Sequence, residues 1–241
     1  MPPSRSAART RARTRGRRRI PVWMWWVLGG VLVAAVVAGF LYNRSSSTAE
    51  NAKVVRPASS VGPHSGVLVG NANAPVTITE FGDFQCPVCR ELHQLWEPTI
   101  EQLVQQGKVK FEFVGLQFLD QGTTESLRSA AAGVCAADQN KFPDFYNALY
   151  DGQSRTENSG FLTNDQLLSF GRSVGLTDPT FANCVKSGRY AGWVAKNTDA
   201  TTRRGITSTP TVLLNDKQIS NSVAADPQRL TDAVNQATGQ G

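Results

Sequence analysis

Several rhythms of hydrophobic and polar positions follow one another along this chain. Residues 21–42 (PVWMWWVLGGVLVAAVVAGFLY) are apolar and uncharged; at about 1.5 Å per residue such a segment crosses the roughly 30 Å hydrocarbon core of a bilayer. Residues 43–62 are mostly small and polar without a period, which reads as a flexible tether. Folded rhythms begin after it. Residues 67–69 form a short apolar run, and residues 76–81 (VTITEF) alternate as a strand does. A helix is expected from Cys86 and Pro87 through Leu92, Leu95 and Ile100 toward Gly107, with a kink at Pro98. Residues 108–116 (KVKFEFVGL) alternate again and give another strand.

From about 120 to 190 the pattern is helical, so this region reads as an insertion between two halves of an α/β domain. Thr163 and Gln166 form a capping box before Leu167, Phe170 and Val174, and Gly175 closes that helix. Asp178 and Pro179 open another helix carrying Phe181, Cys184 and Val185. A further helix lies near Trp193. Residues 211–214 (TVLL) read as a strand, paired across Asn215 and Asp216 with residues 218–220, and a last helix spans about 227–237. The domains expected are a basic tail (1–20), a membrane span (21–42), the tether (43–62) and a folded unit (63–241).

Charge sharpens the picture at the N-terminus. The formal charge is +6, from 25 Lys and Arg against 19 Asp and Glu, but eight arginines lie before residue 21. Without them the remainder is nearly neutral. A short basic run can bind nucleic acid, but followed directly by an apolar span it is better read as the flank that keeps the N-terminus inside, with Trp23, Trp25, Trp26 and Tyr42 at the two interfaces. No nucleic-acid partner is expected. A cleaved signal peptide is the rival reading, although its apolar region is usually shorter. Both readings export everything after Tyr42.

The candidate chemistry is Cys86-Pro87-Val88-Cys89 at a strand-to-helix junction. Unpaired N–H groups and the positive end of the helix dipole favour a thiolate at Cys86, and Cys89 lies on the same helical face within disulfide reach. One thiol attacks and the other resolves. Zinc needs about four ligands, and neither His93, one turn past Cys89, nor His64 completes a set, so no metal or other cofactor is expected. Glu80 shares a strand face with Val76 and Ile78; it is either a carboxylate turned into the core with a raised pKa, or an exposed strand-end residue. Asp83 reads as a turn residue. Cys135 and Cys184 lie in apolar helical stretches of the insertion, and in an exported chain an even cysteine count points to a structural disulfide, with a second redox pair or two buried free thiols as alternatives.

The segments FGDFQCPVCR (81–90) and ITSTPTVLLN (206–215), with the helical insertion between them, resemble the DsbA family, in particular its membrane-anchored, BdbD-like members. The resemblance covers roughly residues 63–241. It implies a thioredoxin-like fold with an inserted helical domain, here preceded by one transmembrane helix. It also implies that Thr209 and a cis Pro210 face the cysteine pair, and that Glu80 carries protons for Cys89. The chain departs from the strongly oxidising members at Val88, where they have histidine, so Cys86 should be acidic for a thiol but less so than theirs.

The activity implied is oxidation of reduced or misfolded exported proteins by a monomeric enzyme, reoxidised by a membrane partner resembling DsbB or a VKOR-type protein. A reductase or isomerase would use the same site in reverse. A membrane-tethered, non-enzymatic binding module is the other alternative, against which stand the intact Cys86, Cys89, Thr209 and Pro210.

Overall fold

The structure, a computed structural model, describes residues 57–59 and 61–239. The expected basic tail and membrane span, and the tether up to residue 56, lie outside the described residues. Among those described, no helix is long and apolar enough to cross a membrane.

Five strands form one sheet: β1 (Val67–Val69), β2 (Val76–Gly82), β3 (Val109–Gly115), β4 (Thr211–Leu214) and β5 (Lys217–Ile219), in the order β1-β3-β2-β4-β5. Only β2 and β3 are parallel. A parallel pair needs a crossover, and α1 (Pro87–Gln105) supplies it. The register places Glu80 opposite Phe113 on one side and Val212 on the other. Glu80 therefore shares its face with Ile78, Phe111 and Phe113, which is the face that α1 covers through Trp96, 5.9 Å from the Phe111 ring. The opposite face buries a smaller cluster of Phe81, Val114, Leu116 and Leu213.

Four helices follow β3: α2 (Glu125–Ala137), α3 (Phe142–Asp151), α4 (Asn164–Ser173) and α5 (Pro179–Ser187). The expected caps are in place. Thr163 accepts a hydrogen bond from Gln166 N at 3.2 Å, and Asp178 accepts one from Thr180 N at 2.6 Å. Cys135 on α2 and Cys184 on α5 are joined by a disulfide with Cα atoms 5.9 Å apart. Both α3 and α2 press on the sheet, so the insertion completes the main core: Tyr146 packs on Phe113 at 5.1 Å. Helix α6 (Ala191–Arg203) then leads back to β4.

The β4–β5 connection is the two-residue hairpin expected, with Asn215 and Asp216 both at positive φ (46° and 64°). So tight a turn lets pairing resume at once, and β5 starts at Lys217, one residue earlier than expected. A short helix α7 (Asn221–Ala224) precedes the closing α8 (Pro227–Ala237). Four residues are too few to show a helical period, which is why the pattern did not reveal it. The end of the expected tether is fastened to the domain: Ala58 N and Ser59 N donate to Asp138 Oδ1 at 2.9 and 3.0 Å, and Val61 bridges to Val67.

Candidate active site

Strand β2 ends at Gly82, and the chain turns through Asp83, Phe84 and Gln85 before α1 begins. Cys86 N donates to Asp83 O at 2.9 Å, closing the turn. Cys86 takes the cap position with extended backbone (φ −74°, ψ 117°), and Pro87 opens the helix where an N–H has no intrahelical partner to lose. Cys89 thus lies one turn inside the helix. Both cysteines are free thiols, Cys86 at the rim (6% exposed) and Cys89 fully enclosed (0%).

The two thiols titrate in opposite directions. Cys86 is lowered from 9.0 to about 6, first by the Cys89 thiol hydrogen-bonded to it, against the cost of burial, with further help from Thr209 and the N–H groups of Cys89 and Val88. Cys89 is pushed well above 9, first by burial and then by its bond to Cys86 and the charges of Glu80 and Cys86. At neutral pH the outer sulfur is a thiolate and the inner one a thiol. The Thr209–Pro210 peptide bond is cis, and Thr209 O lies 3.6 Å from Cys86 Sγ, so the loop before β4 meets the pair at its exposed edge. Val88 points outward and is 49% exposed.

Glu80 is completely buried, the inward alternative of the two readings left open by its strand position. Burial pushes its pKa from 4.5 up to about 8 despite the hydrogen bond from Tyr146, whose hydroxyl donates to Oε2 at 2.6 Å; the Cys86 charge adds to the rise. His93 is buried in the same place, stacked on Tyr150 with ring centroids 5.2 Å apart, and burial lowers its pKa. Among the described residues no three metal-ligating side chains come together.

Asp83 is the turn residue expected, and its side chain does more than the turn requires. It is 0% exposed, and its carboxylate accepts from Gln85 N (2.9 Å), Ser126 Oγ (2.6 Å) and Leu119 N (3.1 Å). Burial lifts its pKa to about 7. Gln153 adds a second fastening, its side-chain amide donating to Phe84 O (2.8 Å) and Cys86 O (3.0 Å). The turn that presents Cys86 is therefore held by side chains of the insertion. Nothing in a single sequence pairs Asp83 with a serine 43 residues away, and nothing in the helical pattern singles out Tyr146 or Tyr150.

The thioredoxin family model matches residues 63–235. Disulfide bond formation protein D of Bacillus subtilis is 32% identical over 156 residues, covering 64% of this chain and 69% of that protein. Two solved structures are similar. Oxidised BdbD from Bacillus subtilis has a TM-score of 0.65 at 28% identity, covering 77% of this chain and all of that one. Reduced DsbA from Mycobacterium tuberculosis has a TM-score of 0.61 at 25% identity, covering 78% and 89%.

Proposed function

Because this chain belongs to the thioredoxin family, among its DsbA-like thiol-disulfide oxidoreductases, we propose that Cys86 and Cys89 are the pair through which it passes disulfides to exported proteins. The observation that carries this reading is the placement of the two sulfurs, Cys86 at the rim of a helix start beside Thr209 and Cys89 enclosed one turn inside, which lowers the pKa of the first and raises that of the second.

The steps balance as follows. With the pair oxidised, a substrate thiolate attacks Cys86 Sγ; the Cys86–Cys89 bond breaks and Cys89 leaves with the electron pair. Buried and poorly acidic, Cys89 takes a proton from the Glu80 carboxyl. A second substrate thiolate then attacks the substrate sulfur of the mixed disulfide. Its disulfide closes, and Cys86 departs as the stabilised thiolate. The low pKa of Cys86 makes it the better leaving group, which favours release of an oxidised substrate.

Thr209 borders the reacting sulfur and positions it, and Pro210 shapes that loop. Residues 21–42 anchor the protein in the cytoplasmic membrane with the arginine tail inside and the domain outside, where reduced or misfolded exported chains and a DsbB-like or VKOR-like reoxidant meet Cys86. The enzyme works as a monomer.

The test is trapping in cells. Full-length Cys89→Ser should accumulate covalent complexes with exported proteins on non-reducing gels, because resolution is lost, whereas Cys86→Ser should form none. Trapping by Cys86→Ser alone would reverse the roles, and no complexes with either variant would remove the exchange reading. The intact arginine tail on the mature protein in the membrane fraction is expected, and a soluble product starting near Ala49 would overturn the anchor.

A further inference from the structure

Four buried side-chain polar atoms lack a hydrogen-bond partner among the described residues, and three of them, Glu80 Oε1, Tyr150 Oη and His93 Nδ1, belong to one aromatic nest beneath Cys89. Native interiors rarely leave such atoms unmade, since each costs about 1–3 kcal/mol. Their grouping at the redox pair therefore calls for a chemical reason.

The two oxygens of Glu80 are not equivalent. Oε2 is held by the Tyr146 hydroxyl at 2.6 Å. Oε1 has no donor, so the carboxyl proton belongs on Oε1. The Tyr150 hydroxyl converges on the same side: a Cβ placed on Gly82 would lie 2.8 Å from Glu80 Oε1 and 3.0 Å from Tyr150 Oη. Glycine at 82 keeps that space open between them. The nest is closely built, with Tyr150 packed against Tyr146 (5.0 Å), His93 (5.2 Å) and Phe84 (5.0 Å).

We propose that Tyr150 is a positioning residue for proton transfer at Cys89: its hydroxyl donates to Glu80 Oε1 whenever that oxygen is ionised and withdraws when Oε1 carries the proton. This rests on the reading of Glu80 as the proton carrier. In reoxidation, Cys86 thiolate attacks an external disulfide and expels one thiolate. The Cys89 thiol gives its proton to Glu80 Oε1 and attacks Cys86 Sγ, expelling the second thiolate. Before that step Glu80 is a carboxylate inside an aromatic core, where two phenol donors stabilise it; after it, Oε1 is a donor itself and needs none.

The tyrosines act as donors and not as proton relays. Burial, then the neighbouring Glu80 charge, pushes both phenols well above 10, so they keep their protons throughout. The Tyr150 hydroxyl makes no formed hydrogen bond to Glu80, but it is near enough to lower the Glu80 pKa slightly, less than Tyr146 does. The other titratable groups facing this site are Cys86 at the cap of α1, Cys89 and His93 on α1, Asp83 in the turn, and Asp151 at the end of α3, whose charge acts on His93. His93 is kept neutral by burial.

The test follows the Glu80 carboxyl band by infrared titration of the oxidised full-length protein in detergent, the band being assigned by its loss in Glu80→Gln. Tyr150→Phe removes one hydroxyl and should move the Glu80 midpoint up by about one pH unit or more, the size of a lost hydrogen bond to a charged group. The pH profile of reoxidation by oxidised glutathione should rise with it, while the Cys86 thiolate absorbance still titrates near 6. In the Glu80→Gln background Tyr150→Phe should change nothing further. Incorporating 3-fluorotyrosine at 150, a stronger donor of nearly unchanged shape, should move the midpoint down, and it reads the same contact if the phenylalanine variant packs poorly. An unmoved Glu80 midpoint in both Tyr150 variants overturns the role of Tyr150. A reoxidation profile unaffected by Glu80→Gln overturns the proton-carrier reading beneath it.

Discussion

The four cysteines form two pairs, and their surroundings differ in every respect that governs sulfur chemistry. Cys86 and Cys89 lie three residues apart at a helix start, one at the rim and one inside, with a buried carboxyl beneath and a backbone carbonyl against the outer sulfur. Cys135 and Cys184 are 49 residues apart on two helices of the insertion, Cys135 buried and Cys184 half-buried. The first pair is set up to split its acidity, and the second to close a long loop. A thiol becomes reactive through its position on the backbone and its charged neighbours, and the presence of a partner cysteine does not supply that.

The largest expected effect tests this division directly. Cys86→Ser should abolish exchange with a reduced unfolded substrate, leaving the background rate, whereas the Cys135→Ala/Cys184→Ala double variant should keep the exchange rate within a few-fold. If the double variant also stops exchange in protein that is still folded, the second pair takes part in turnover.

The same double variant should show its effect in stability. Closing a 49-residue loop restricts the unfolded chain by about 4 kcal/mol in the chain-entropy model. Urea unfolding of the otherwise intact domain should register a loss of that order, and a loss below about 1 kcal/mol would make the bridge dispensable. Mild reductant should free the Cys86 and Cys89 thiols first, since Val134 and Phe181 help shield the second bond. Mass mapping that finds four thiols released together would erase the contrast.

The two pairs should also part in their response to pH. Cys86 titrates at about 6 in the folded reduced protein against 9.0 when free. A depressed pKa gives stability that is complete above 9 and lost as pH falls through 6, so the reduced protein should gain on the oxidised one between pH 6 and 9. Glu80, raised from 4.5 to about 8, works the other way: its contribution is present below 4.5 and lost as pH rises through 8. It titrates in both redox forms, so it largely cancels in the difference. The difference between the unfolding midpoints of the two forms should therefore shift toward the reduced form as pH rises. Parallel curves would deny the stabilised thiolate.

How much of this was legible beforehand depended on how local the cause was. The CPVC spacing, the Thr163 and Asp178 caps and the Asn215-Asp216 hairpin are all decided within a few residues, and each could be read; the strand alternation offered an inward Glu80 only as one of two readings. The fastening of the redox turn was not, because Asp83 reaches Ser126 and Leu119, and Gln153 reaches Phe84 and Cys86, across 36 to 69 residues. Tyr146 and Tyr150 are invisible for the same reason. Their hydroxyls matter only because α3 folds back over β2.

The smallest expected effect concerns Val88, an uncharged and exposed residue inside the redox motif. The Cys86 thiolate is stabilised by the Cys89 thiol, the Thr209 side chain and the N–H groups of Cys89 and Val88; the Val88 contribution is from its backbone, which histidine keeps. Val88→His adds an imidazole beside the thiolate, and a cation there favours the charged sulfur. The position is 49% exposed, so water screens the new charge. The Cys86 titration should fall by less than about one pH unit, with the pair becoming more oxidising by at most about 30 mV, the equivalent of a single pH unit of thiolate stabilisation. The Cys135–Cys184 bond, remote from the charge, should keep its resistance to reductant. A glutathione titration in which the active-site potential holds still or moves toward the reducing side would show that the backbone and Cys89 alone set the acidity of Cys86, and that the side chain between the cysteines is not one of its controls.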